Sequence, residues 1–148
     1  LSDEASQLTG GLGFAPSGNI GKNAALFEPS SGSVPKYAHQ YKVNPSAMLL
    51  TSKMMLEYLG LDEDAAKIEK ALGEVLVEKK AGTLTYDILR DFQGDPDWEQ
   101  NAASTLDMAA AIAAKINPDC VGEKLEAVKA KVHQMCAWDE ASLLGFDD

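Results

Sequence analysis

Gly10-Gly11-Leu12-Gly13-Phe14-Ala15-Pro16-Ser17-Gly18-Asn19-Ile20-Gly21 is too rich in glycine to form a helix. Ala24-Ala25-Leu26-Phe27 follows and reads as a short buried strand. Glu28 to Asn44 is then a long loop broken by Pro29, Gly32 and Pro35, and a loop of this length inside a domain is usually functional. Working outward, the rest of the chain reads as helices. Asn44-Pro45 gives an N-cap followed by proline at the first helical position. The segment from Pro45 to Leu59 is apolar nearly all round, which predicts a buried helix, and Gly60 is its natural stop.

A second helix, Glu63 to Lys80, places Ile68, Leu72, Val75 and Leu76 on one face and charges on the other. Leu84 to Leu89 is ambiguous between strand and short helix, and Gly94-Asp95-Pro96-Asp97 is a turn. Ser104 caps a third helix with Leu106, Ala109, Ile112, Ala113 and Ile116 inward, ended by Asn117-Pro118-Asp119. A last helix, Val121 to Cys136, carries Val121, Leu125, Val128, Val132 and Met135 as a narrow stripe suited to one neighbour.

The 148 residues amount to one ordinary domain, with 45% hydrophobic residues and a formal net charge of −10. Such acidity argues against nucleic acid or an anionic membrane as main partner. No apolar run approaches the roughly 20 residues of a membrane span. The start, Leu1-Ser2-Asp3-Glu4, has no signal-peptide features, and two cysteines are too few for a disulfide framework. The expected compartment is cytoplasmic, or the mitochondrial matrix in a eukaryote. The charge is uneven. Residues 1–60 hold four acids (Asp3, Glu4, Glu28, Glu57) and four bases (Lys22, Lys36, Lys42, Lys53), so all of the net negative charge lies beyond them. An anionic ligand is least repelled by that first part.

Asp3, the run Gly11 to Gly21, Ala25-Leu26-Phe27-Glu28-Pro29, Gly32-Ser33-Val34-Pro35-Lys36-Tyr37-Ala38 and Lys42-Val43-Asn44-Pro45 resemble one family in order and spacing. Met54-Met55-Leu56-Glu57-Tyr58-Leu59-Gly60, Thr85-Tyr86-Asp87 and Ser104-Thr105 continue the match. The family is that of the isocitrate/isopropylmalate dehydrogenases, metal-dependent oxidative decarboxylases, and the resemblance covers about residues 1–116. It implies an α/β fold, of which this piece is mostly helical with one to three short strands. Residues 1–116 are then the C-terminal part of the large domain and residues 117–148 an acidic helical extension. It also implies that the chain is only part of a homodimeric enzyme, beginning inside its metal site and completed by an N-terminal part and a second subunit. Taken alone, the chain is expected to be inactive and, by exposing apolar surface, to self-associate.

The resemblance makes Asp3 a ligand for Mg²⁺ or Mn²⁺, which would polarise the substrate's hydroxyl and carboxylate. From spacing alone Ser2-Asp3-Glu4 reads as a helix cap, and it is the flanking match that favours the ligand. The Glu28 to Asn44 loop becomes the adenosine-binding segment. Gly32, Ser33 and Val34 line the adenine and ribose, and Val43 and Asn44 close over the ring. Asn44 suits adenine because its amide donates and accepts, yet it is also the helix cap. Glu28 is the family's acid near the cofactor, or else a surface residue.

Lys36 and Tyr37 stand where NAD-preferring members usually carry an aspartate and an aliphatic residue. Together with Tyr86 and Arg90, the only arginine, they match the NADP-using pattern. Lysine attracts the 2′-phosphate, tyrosine donates to it and a guanidinium forks it. Read singly, Lys36 and Arg90 are solvated charges. Two departures stand out: Ser31 replaces a histidine that would pack on adenine, and His39 replaces a glycine, which strains any left-handed backbone there.

The implied function is the NADP- and metal-binding portion of an enzyme converting isocitrate to 2-oxoglutarate and CO₂. Isopropylmalate and homoisocitrate are the alternative hydroxy-acid substrates. A non-catalytic nucleotide-binding module, or half of a split enzyme, is the alternative of another class. His133, Cys136 and Cys120 read as a packed helix face rather than a zinc site, which needs more ligands. Trp138 and Phe146 read as anchors for the acidic tail.

Overall fold

The computed structural model describes residues 11–30, 34–120, 126–128, 130 and 131. A 3₁₀ turn, Leu12–Phe14, leads into strand β1, Pro16–Ile20, which pairs antiparallel with β2, Ala25–Pro29. The register sets Pro16 opposite Pro29 and Ile20 opposite Ala25. The glycine-rich run, read as unable to form a helix, thus holds a strand. Gly18 permits it: a Cβ there would lie 3.0 Å from Met54 Sδ and 3.2 Å from the Phe27 ring. The hairpin therefore lies close on the following helix. β2 is not buried as predicted, because among the described residues the sheet has two strands; Leu26 is 57% exposed.

A 3₁₀ turn at Pro35–Tyr37 opens a loop in which His39 and Tyr41 both take left-handed φ, 59° and 51°. His39 thus adopts the backbone that favours glycine. Helix α1, Ser46–Tyr58, begins where Asn44 Oδ1 accepts the Ser46 amide at 2.9 Å. It ends in a Schellman arrangement, with Leu61 N donating to Leu56 O and Gly60 N to Glu57 O, and Gly60 at φ 76°. Helix α2, Asp62–Glu78, starts with Asp62, Glu63 and Asp64 against its dipole.

Of Leu84 to Leu89, Leu84 and Thr85 are irregular and the helix begins at Tyr86. One α turn passes into a π turn, Ile88–Gln93, closed by left-handed Gly94. A short helix α3, Trp98–Asn101, precedes α4, Thr105–Ile116, whose Ser104 cap accepts the Asp107 amide at 3.1 Å. Ala71, Leu72 and Val75 of α2, Leu84, Ile88 and Leu89, and Met108 and Ile112 of α4 form the core. The α4 stripe is turned from the expected one. Met108 is at its centre, Leu106, Ala109 and Ala113 are half-buried, and Ile116 is exposed.

Helix α1 is not buried as read. Only Ser46, Ala47 and Thr51 are, while Met48 is 54% exposed and Met55, Tyr58 and Leu59 also face outward. It packs on α2, the hairpin and the Leu12–Phe14 turn, and its Leu49 and Leu50 reach the core cluster. Residues 126–128, 130 and 131 are helical, with Val128 exposed. Val121, Leu125, Val132, Met135, His133, Cys136, Trp138 and Phe146 lie outside the described residues.

Candidate functional site

Two hydrogen bonds tie the loop before α1 to the start of α4: Thr105 N to Tyr41 O at 2.6 Å, and the Thr105 hydroxyl to Val43 O. Ala103 N donates to Leu84 O at 2.8 Å, bringing the α3 segment to the same place. Between these segments lies a cavity of about 420 Å³, lined by Tyr37, Lys42, Tyr86, Arg90, Trp98 and Glu99, among others.

The walls are aromatic and basic. Tyr37 meets Tyr86 edge-on at 5.7 Å between ring centroids, and Tyr86 meets Trp98 at 6.1 Å. Lys36 Nζ sits 5.2 Å and Lys42 Nζ 5.9 Å from the Tyr37 centroid. The Arg90 guanidinium lies 5.4 Å from Tyr86 and 5.7 Å from Trp98. Arg90 also pairs with Asp91, Nε to Oδ1 at 2.6 Å and the terminal nitrogen to Oδ2 at 2.9 Å. Hydrogen bonding by Asp91 raises the Arg90 pKa, and the guanidinium in turn holds the Asp91 carboxyl below its usual range. Burial, then contact with Tyr37, pushes the Tyr86 phenol up.

Tyr37, Tyr86 and Arg90 are thus brought together on the cavity from two distant segments, and Lys36 stands beside Tyr37 outside the lining. The other expected site residues are placed differently. Val34 precedes the 3₁₀ turn and is exposed, and Tyr37 N donates to its carbonyl. Val43 is exposed and spends its carbonyl on Thr105. Asn44 is 8% exposed and does not line the cavity. Its Nδ2 donates to Asp87 Oδ2 at 2.9 Å while its Oδ1 caps α1, so its observed work is internal. Glu28 is exposed on β2, opposite Ser17 and away from the cavity lining.

Asp3, Gly32, Ser33 and Ser31 lie outside the described residues, as does any metal site built on Asp3. Among the described residues no three His, Cys, Asp or Glu side chains group to hold a metal, and no helix is long and apolar enough to cross a membrane. Lys42 and Trp98 were not foreseen. Lys42 stands inside the quoted Lys42-Val43-Asn44-Pro45 run. Trp98 follows the Gly94 to Asp97 turn, and no local pattern aims it at Arg90. The donor set of one guanidinium, the Lys42 ammonium and two phenols around the cavity, with Glu99 at its side and Lys36 beside Tyr37, fits a phosphate ester carried on a flat ring system.

The sequence profile of the isocitrate/isopropylmalate dehydrogenases matches residues 1–112. The chain is 46% identical over 113 residues to a 3-isopropylmalate dehydrogenase of Methanothermobacter thermautotrophicus, covering 76% of this chain and 30% of that protein. It is 48% identical over 94 residues to an isocitrate dehydrogenase [NADP] of Archaeoglobus fulgidus, covering 64% and 22%. The solved isocitrate dehydrogenase from Methylococcus capsulatus superposes with a TM-score of 0.66 at 37% identity, over 78% of this chain and 31% of that one. The chain spans less than a third of the length of each. The mostly helical piece with its two-stranded sheet matches part of an isocitrate-dehydrogenase-like α/β domain. With the profile matched over three quarters of its length, the chain belongs to the isocitrate/isopropylmalate dehydrogenase family.

Proposed function

We propose that this chain is the NADP-binding portion of a decarboxylating dehydrogenase acting on a 2-hydroxy acid, with isocitrate as substrate. The observation that carries the reading is the convergence of Tyr37, Lys42, Tyr86 and Arg90 on one cavity, with Lys36 beside Tyr37. Arg90 offers several N–H donors in a plane matched to phosphate oxygens, and the lysines add point charges. Tyr86, with its pKa raised, keeps its hydroxyl proton through neutral and mildly alkaline pH and so stays a donor. Tyr37, Tyr86 and Trp98 form an apolar wall behind the charged groups. Bound NADP supplies the hydride acceptor; the hydroxy acid becomes a 2-oxo acid, then loses CO₂.

The same reading has residues 117–148 as an extension, and the enzyme as a homodimer requiring Mg²⁺ or Mn²⁺ with Asp3 as one ligand. A second reading, 3-isopropylmalate as substrate, is favoured by the 46% identity to an enzyme of that name. The test is reduction of NADP and NAD by the full-length protein with Mg²⁺ and each of isocitrate, 3-isopropylmalate and homoisocitrate. Isocitrate-dependent NADPH formation, abolished by EDTA, is expected. Turnover with 3-isopropylmalate alone would replace the substrate, and turnover with NAD alone would remove the cofactor assignment.

A further inference from the structure

Granted the NADP reading of the cavity, on which this rests, we propose that Asp91 is a built-in competitor for the nucleotide phosphate at Arg90. Asp91 thereby sets how strongly the site distinguishes NADP from NAD. The two residues are consecutive in the π turn Ile88–Gln93, and their side chains meet through two parallel N–H···O bonds. The fork of Arg90 that would grip a phosphate thus already grips a carboxylate.

The guanidinium is also held in place from the side. Tyr86 and Trp98 lie within 5.4 and 5.7 Å of it, so it does not need to move far to exchange one partner for the other. Both partners remain half in water, with side-chain exposures of 48% and 49%, so the pair is displaceable. Exposed pairs of this kind hold by a factor of about five or less. A phosphate, with about twice the charge and three acceptor oxygens, is the stronger ligand. It must still displace Asp91 and sit beside its negative charge. NAD, with a free 2′-hydroxyl, makes no such demand.

The test is isothermal titration of NADP and NAD into full-length wild-type protein and its Asp91→Asn, Arg90→Ala and doubly substituted variants. Asp91→Asn is expected to tighten NADP by about two- to tenfold and leave NAD unchanged. In the Arg90→Ala background the gain is expected to shrink to less than about twofold, because the competition runs mainly through the guanidinium and only the direct repulsion remains. Asp91→Glu, which keeps the charge, should bind NADP nearly as wild type does. An equal gain for NADP and NAD, or an undiminished gain in the Arg90→Ala background, would overturn the proposal. If Arg90→Ala and wild type bind NADP equally, the NADP reading of the cavity itself fails, and the proposal with it.

Discussion

Helices α1 and α2 are neighbours of similar length, and they use apolar side chains in opposite ways. α1 is the more apolar, with Met48, Leu49, Leu50, Met54, Met55 and Leu56, yet the residues it buries are Ser46, Ala47 and Thr51. α2 is rich in charge, yet it sends Leu72 and Val75 into the core with Ala65 and Ala71. Segregation, not total hydrophobicity, decided which helix docks within this piece of chain. A helix with one apolar stripe has one answer to where its neighbour lies. A helix apolar all round presents several faces; here they meet the hairpin, α2, the Leu12–Phe14 turn and the edge of the core, and Met48, Met55 and Tyr58 stay outward. The hairpin behaves as α1 does, with Ile20 and Leu26 facing outward.

The sharpest way to break the contrast is in the core. Met108 is fully buried against α2 and the Leu84 segment, with the Thr85 hydroxyl 3.7 Å from its sulfur. Met108→Ala should cost about 2–5 kcal/mol, read from the urea midpoint. A cost below about 1 kcal/mol would mean the core collapses around the cavity and is less specific than described. Next is the joint between the two regions. Asn44→Ala removes the α1 cap and leaves Asp87, whose Oδ1 is already without a partner among the described residues, with both carboxylate oxygens unmatched. About 2–3 kcal/mol is expected.

The smallest effect belongs to α1. Met48→Gln with Met55→Gln should change stability by no more than about 0.5 kcal/mol while reducing self-association of the isolated chain in sedimentation. A large loss of stability would show that this face is already covered.

Local signals were legible in the sequence. Asn44-Pro45, Gly60 and Ser104 mark helix ends through bonds made within a few residues; Gly60 and Ser104 act as read, while Pro45 takes the N-cap position and Asn44 holds the Ser46 amide from one residue outside it. What was not legible depends on distant partners. Pro16, Gly18 and Gly21 argue against a strand locally, and β1 exists because Ala25–Pro29 pairs with it, with Met54 of α1 and Phe27 of β2 close over Gly18. Met108 escaped notice because its burial depends on how α4 is rotated on α2. At the site, the family pattern carried Lys36, Tyr37, Tyr86 and Arg90. The approach of Trp98 to Arg90 and Tyr86 is a tertiary fact with no sequence spacing of its own. Asn44 went the other way, its caps and tethers accounting for a residue read as facing adenine.

The central claim is that the cavity between Tyr37, Tyr86 and Trp98 reads a 2′-phosphate. Calorimetric affinities of NADP and NAD for the full-length protein and its Arg90→Ala variant test it most directly. The account predicts tighter binding of NADP than of NAD, and a loss of about 10- to 100-fold in NADP affinity on substitution with NAD affinity unchanged. Equal affinity for the two nucleotides, or an NADP affinity indifferent to Arg90, would contradict it.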